Sequence, residues 1–286
     1  MKTFLARWLI QLLLLCALLP AAWAGRPCDT PQPPRVQDIE RGLQLADRVR
    51  QRLDDSGAQV VLLARAGQDL SRYGLRYSHV GWVYRVPDAS APGGHVWRVL
   101  HKLNQCGSSN SAIYRQGLGE FFMDTPWRYE AAWVVPNGDV QTRLMALLVD
   151  AQRPASLPPA VQMQHRPYSL VSYAWGVRYQ QSNQWAIELL AWSLEPGVRS
   201  SPYEATTASR QKAQAWLRFK GYEPTVLHID PLTRLGARMT AANVAFDDHP
   251  NAERFSDRIA TVTADSVFDW MTRSQISGPV QQVGLY

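Results

Sequence analysis

The patterning of this chain predicts an α+β fold, with antiparallel strands in the middle and helices on both sides. Two observations carry that expectation. Apolar residues recur at three- and four-residue spacing in some stretches and alternate in others, and turn-forming clusters of Pro, Gly and Asn separate the two kinds. Neither internal repeats nor low-complexity tracts interrupt the series.

The elements follow in order. From Asp38, the residues Ile39, Leu43, Ala46, Val49 and Leu53 mark a helix, and Gly57 stands where it would stop. Val60 to Leu63 is a short apolar strand. Ser78 to Arg85 is a second, with His79, Gly81 and Val83 on one side and Val80, Trp82 and Tyr84 on the other. A Pro/Ala/Gly-rich loop over 87–94 leads into a third strand, Val96 to Leu103. If that loop is centred near residue 90 or 91, the position opposite His79 falls near 101 or 102, which makes His101 its expected cross-strand neighbour. Tyr114 to Phe122 reads as a short helix, Ala131 to Val135 as a strand closed by Pro136-Asn137-Gly138-Asp139, and Gln141 to Ala151 as a helix. The loop from Pro154 to Pro167 holds four prolines. Tyr168 to Tyr179 is aromatic and alternating. Trp185, Ala186, Leu189 and Leu190 recur at helical spacing behind Ser182 and read as core. A helix through Arg210 to Lys220 stops at Gly221, and a strand follows near Val226 to Ile229. A polar loop then carries Asp247-Asp248-His249-Pro250, before a strand and short helix around Ile259 to Met271.

The amino terminus bears on compartment. Lys2 and Arg7 precede an apolar run from Leu9 to Leu19 broken only by Gln11; Pro20 follows, then Ala22-Trp23-Ala24. Basic start, short apolar centre and small-residue exit are the layout of a cleavable secretion signal. The run is shorter than the roughly 18–20 residues that cross a bilayer. The expected organisation is a signal peptide over 1–24, an extended arm with four prolines over 25–37, and a single domain over 38–286. The mature protein is expected to be exported, periplasmic, and without a membrane span. The net charge is +6, and removal of Lys2 and Arg7 leaves +4, because the first 24 residues contain no acid. The charge is spread thinly, which argues against a nucleic-acid footprint. Cleavage would remove Cys16 and leave Cys28 and Cys106, an isolated pair expected to form a disulfide in an oxidising space.

The G-x-S-x-G, P-loop, G-x-G-x-x-G and H-E-x-x-H motifs are absent, so no cofactor or metal is expected. What remains is a polar constellation of His79, His101 and Ser182. Ser182 opens a helix, where free N–H groups and a partial positive charge favour a developing oxyanion. His79 would be the base and His101 the residue that fixes its tautomer. The bland alternatives are a helix N-cap for Ser182 and a satisfied core histidine for His79. Asp247, Asp248 and His249 read as a solvated turn rather than a cation site. His95, His165 and His228 read as surface or loop residues without partners.

Arg65-Ala66-Gly67-Gln68-Asp69-Leu70-Ser71-Arg72, Tyr77-Ser78-His79-Val80-Gly81, Tyr179-Gln180-Gln181-Ser182-Asn183-Gln184-Trp185 and Asp247-Asp248-His249-Pro250 resemble segments of the DUF2145 proteins, secreted bacterial proteins without an assigned activity. The order of strand-His, strand and helix also resembles the circularly permuted papain-like enzymes related to NlpC/P60, which implies a papain-like fold with a carboxy-terminal extension. The family pattern implied here is Cys-Asn-Gln-Trp, and Ser182 stands in the Cys position. A hydroxyl is much harder to deprotonate than a thiol. The resemblance therefore implies a catalytically altered or inactive relative that binds an envelope peptide, glycan or lipid. The alternatives are an active hydrolase or acyltransferase on an amide or ester using Ser182 and His79, and a structural envelope protein.

Overall fold

The computed structural model describes residues 35–123, 126–150 and 157–285. Residues 1–34, which hold the expected signal and nearly all of the arm, lie outside them. The arm's last two expected residues, Val36 and Gln37, already belong to helix α1 (Val36–Asp55), which buries Leu45, Ala46, Val49 and Leu53. Strands β1 (Val60–Arg65), β2 (His79–Pro87), β3 (His95–Asn104) and β4 (Ser111–Gly117) follow. Next come helix α2 (Leu118–Phe122), strand β5 (Glu130–Val134) and helix α3 (Gly138–Leu148). Helices α4 (Ser182–Leu194) and α5 (Thr206–Phe219) precede β6 (Thr225–His228), α6 (Pro231–Thr240), α7 (Asn251–Arg254) and β7 (Arg258–Thr261). Helix α8 (Ala264–Arg273) and strand β8 (Gln281–Gly284) end the chain.

Six strands form one antiparallel sheet in the order β4-β3-β2-β1-β5-β8, and β6 and β7 form a small second sheet. The architecture is α+β. Alternation along the strands divides the core between two faces. Val61, Leu63, Val83, Val99 and Trp133 pack against α1 and α2, while Val60, Leu62, Trp82, Leu100 and Val134 pack against α3, α4, α5 and α8. The carboxy-terminal portion is therefore integral: α8 belongs to this core and β8 extends the sheet beyond β5.

Three expectations are corrected. Tyr114 to Phe122 is helical only from Leu118, because Ala112 to Gly117 pair with β3 along a full ladder. Tyr168 to Tyr179, for which alternation alone assigns no element, is irregular, with backbone groups that go to side chains and loops, as when Tyr173 N–H donates to Asp248. Asp247 and Asp248 do lie in a turn, but it is not solvated at Asp248 and His249, whose side chains are 2% and 0% exposed. His95 lies within β3 and has a partner, with its Nε2 2.8 Å from Asp54. His165 also has a partner in the Arg178 carbonyl, whereas His228 is exposed on β6.

Candidate active site

The sheet parts where the site forms. β2 pairs with β1 as far as His79 and β3 pairs with β4 as far as Asn104, but the β2–β3 register ends at Trp82↔Leu100. The start of α4 meets β2 there: Val80 N–H, freed from any β3 partner, donates to Asn183 Oδ1 at 3.1 Å. Continuing the register sets His101 opposite Gly81, diagonal to His79 rather than directly across from it. Glycine is required at that position. A Cβ on Gly81 would lie 2.7 Å from Val99 Cγ1 and 3.2 Å from His101 Cβ. The two imidazoles meet across this diagonal with centroids 5.1 Å apart.

The structure brings the three expected residues together. Ser182 Oγ is 3.1 Å from His79 Nδ1, His79 Nε2 is 2.8 Å from His101 Nδ1, and His101 Nε2 is 2.7 Å from Gln116 Oε1. An amide oxygen can only accept, so its contact fixes both tautomers. His101 donates from Nε2 to Gln116 and accepts at Nδ1 from His79 Nε2–H. The lone pair of His79 Nδ1 then accepts the Ser182 hydroxyl proton. Every hydrogen bond in the relay runs from Ser182 toward Gln116.

Electrostatics oppose a charged imidazole. Burial holds the proton affinity of His79 well below its ordinary value, and Arg65 and His101 add to the depression. His101 is pushed down to about 4, mainly by burial and then by Arg65, with Gln116 acting in the opposite sense. Arg65 is the β1 partner of His79 and donates to the Phe121 carbonyl, with its guanidinium over the Phe121 ring. No carboxylate contact is seen behind either imidazole among the described residues.

The polar segment before and within α4 is occupied by anchoring, except at Ser182. Gln181, not Ser182, is the N-cap: its side-chain oxygen accepts from Asn183 N–H, and its amide donates to Thr261 Oγ1. Gln184 accepts from the Ser172 hydroxyl and donates to the carbonyls of Tyr173 and Ala174. Gln180 accepts from Lys102 and donates to Glu188, while Glu188 forms a fully buried ion pair with Arg210 at 2.8 Å. Lys102, beside His101, is thereby joined to the residue two before Ser182. Burial and the neighbouring Arg210 lower its proton affinity well below the usual lysine value. Ser182 remains, with its hydroxyl directed at His79.

Two participants escape sequence reasoning. Gln116 lies in a stretch that reads as helix, so its place on a strand beside His101 is not visible beforehand. Tyr168 is close enough to Ser182 for the serine's side chain and backbone to favour its ionised form, yet burial dominates and raises its phenol to about 12. Its alternating aromatic context gives no sign of this. Trp82, Trp133, Trp185 and Trp270 are buried in the core and line no groove among the described residues. Ser182 and His79 retain only 5% and 8% exposure. A groove of about 650 Å³ lies at the far end of β2, by Arg85 and Pro87.

Cys106 is disulfide-bonded, and Cys28 lies outside the described residues. Asp248 accepts from His249 Nδ1 at 3.1 Å and from Tyr173 N–H at 2.8 Å. No cluster of three or more His, Cys, Asp or Glu among the described residues could hold a metal ion.

No curated protein and no solved structure matches the chain. A family model described as an uncharacterized protein conserved in bacteria (DUF2145) matches residues 52–271, a span that runs from the end of α1 to α8 and includes His79, His101, Gln116, Tyr168 and Ser182. With the greater part of its length inside that match, the chain belongs to the DUF2145 family.

Proposed function

We propose that the protein is an exported, papain-like pseudoenzyme of the cell envelope, which keeps the geometry of an acyl-transfer site without its driving force and acts by binding an envelope ligand rather than by turnover. One observation carries this reading: the relay from Ser182 ends at the neutral amide of Gln116, with both imidazoles held neutral by burial. A general base works best with a proton affinity near the operating pH. His79 lies well below it, and a serine hydroxyl needs more help than a thiol. Sulfur would need less help here than oxygen, because a thiol ionises near pH 8.5 unaided.

A second reading, a slow serine hydrolase or acyltransferase, is favoured by the alignment of the proton path from Ser182 to His79. One experiment separates the two. The wild-type protein and Ser182→Ala are treated with a serine-directed fluorophosphonate, and Ser182→Cys with iodoacetamide across pH. The pseudoenzyme reading expects no Ser182-dependent fluorophosphonate labelling, together with a thiol in Ser182→Cys that reacts below the ordinary thiol range. Labelling of wild type that vanishes in Ser182→Ala establishes the hydrolase instead. A Ser182→Cys thiol with ordinary pH dependence removes the papain-like ancestry.

A further inference from the structure

Helix α6 is amphipathic in the inverted sense. Of its residues 231–238, Arg234 is the one buried, while Leu232 and Leu235 are 80% and 58% exposed. The inward Arg234 is held by the Arg254 carbonyl and by Asp257 at 2.9 Å, so the turn after α7 lies against the helix. That turn carries Phe255, 70% exposed. Three large apolar side chains therefore project from one small lobe, whose own core is Leu227, Ile229, Phe246 and Ile259.

The charges around them are mostly cationic. The carboxylates of Asp230 and Asp257 are engaged, the first capping α6 and the second on Arg234. Arg238, Arg254 and Arg258 have no carboxylate partner among the described residues, and Arg254 lies over the Phe255 ring at 4.7 Å. Glu253 is the acid left to oppose them.

We propose that this face of α6 and the α7 turn seats the protein on a bilayer containing anionic lipid, with Leu232, Leu235 and Phe255 entering the headgroup boundary and the arginines meeting lipid phosphates. An amphipathic helix with an exposed apolar edge and flanking cations binds such an interface through area and charge together. A second copy fits less well, since a two-fold contact through this face sets arginines against arginines. No helix among the described residues is long and apolar enough to cross a membrane, so the contact is peripheral. The inference is independent of the chemistry at Ser182.

The test is flotation of the exported chain with vesicles of phosphatidylethanolamine and phosphatidylglycerol, against vesicles of phosphatidylcholine alone. Wild type is expected to float with the anionic vesicles only. Leu232→Asp with Leu235→Asp is expected to lower the bound fraction about tenfold or more. Arg238→Gln with Arg254→Gln, or high salt, is expected to lower it several-fold. These positions are on the surface, so an unchanged circular dichroism spectrum is expected for each variant. Failure of wild type to bind the anionic vesicles overturns the proposal, as does equal binding by the Leu232/Leu235 variant. A concentration-dependent dimer abolished by that variant, with no vesicle binding, assigns the face to a second copy.

Discussion

Two imidazole sites in this molecule are built from opposite halves of one chemistry. At His249 the ring is backed by a carboxylate, with Nδ1 3.1 Å from Asp248, while Nε2 is buried and meets no partner. At His79 the ring faces a hydroxyl, but behind it stand a second imidazole and an amide. A carboxylate strengthens an imidazole as a base by stabilising the cation that forms. Here the carboxylate is placed where there is no nucleophile, and the hydroxyl where there is no carboxylate. The lesson concerns the order of requirements: alignment of a proton path and the power to drive a proton along it are separate properties, supplied by different residues.

The sites also differ in their anchoring, and the largest expected effect breaks that difference. Ser182 is tied through Gln180 to Glu188 and its buried partner Arg210, which also donates to the Tyr179 carbonyl. Glu188→Gln leaves a guanidinium buried without its counter-charge. The expected loss is about 3–5 kcal/mol in urea unfolding. Replacing both residues by apolar ones of similar volume should not recover it, because the Gln180 amide and the carbonyls of Val177 and Tyr179 would then lose their partners. A loss below about 1 kcal/mol would show that the ion pair does not hold the start of α4 in place.

Acid sharpens the comparison next. His101 has its proton affinity lowered from 6.5 to about 4, so between those values the unfolded chain takes up a proton that the folded chain does not. Its contribution to stability is complete above about pH 6.5 and falls as pH drops toward 4, by about 3 kcal/mol in all. His79 adds a change of the same sign. Unfolding free energy measured across this range should show the slope, and His101→Asn should flatten it. Gln116→Glu then supplies the missing carboxylate at a position already 2.7 Å from His101 Nε2. It is expected to raise the imidazole titrations by about 1–2 pH units, read by NMR. In the Ser182→Cys background it should also quicken thiol alkylation at neutral pH.

Much of this comparison was legible in the sequence, for identifiable reasons. His79, His101 and Ser182 can be placed because strand alternation and helical spacing each fix a face, and two apolar runs joined by a turn set an approximate register. The register is out by one or two residues, because the loop between β2 and β3 does not reveal where its turn begins. That difference converts a direct pair into a diagonal one, which works because Gly81 leaves the space open. The N-cap moves from Ser182 to Gln181 because the choice depends on which side chain can reach Asn183 N–H. The burial of Asp248 and His249 is the plainest reversal. Asp-Asp-His-Pro reads as a turn by composition and is one, but Tyr173 and Gly176 from a loop some seventy residues away cover it. Contacts at that separation leave no local signature.

The smallest expected effect tests whether the two imidazole sites are as separate as their chemistry. Asp248→Asn removes the charge beside His249 while keeping an oxygen able to accept from Tyr173 N–H. The expected cost is about 1–2 kcal/mol, from weakening a buried charge-assisted hydrogen bond. The path from Asp248 to Ser182 runs through Tyr173, Gln184 and the first turn of α4, and every link in it is a positional hydrogen bond. If that path carries only position, the alkylation rate of the Ser182→Cys thiol should change less than about twofold in the Asp248→Asn background, because an effect of about 0.4 kcal/mol is all that such a ratio represents. A tenfold change would mean that the carboxylate at His249 acts on the nucleophile position after all, and the division of labour between the two sites would have to be redrawn.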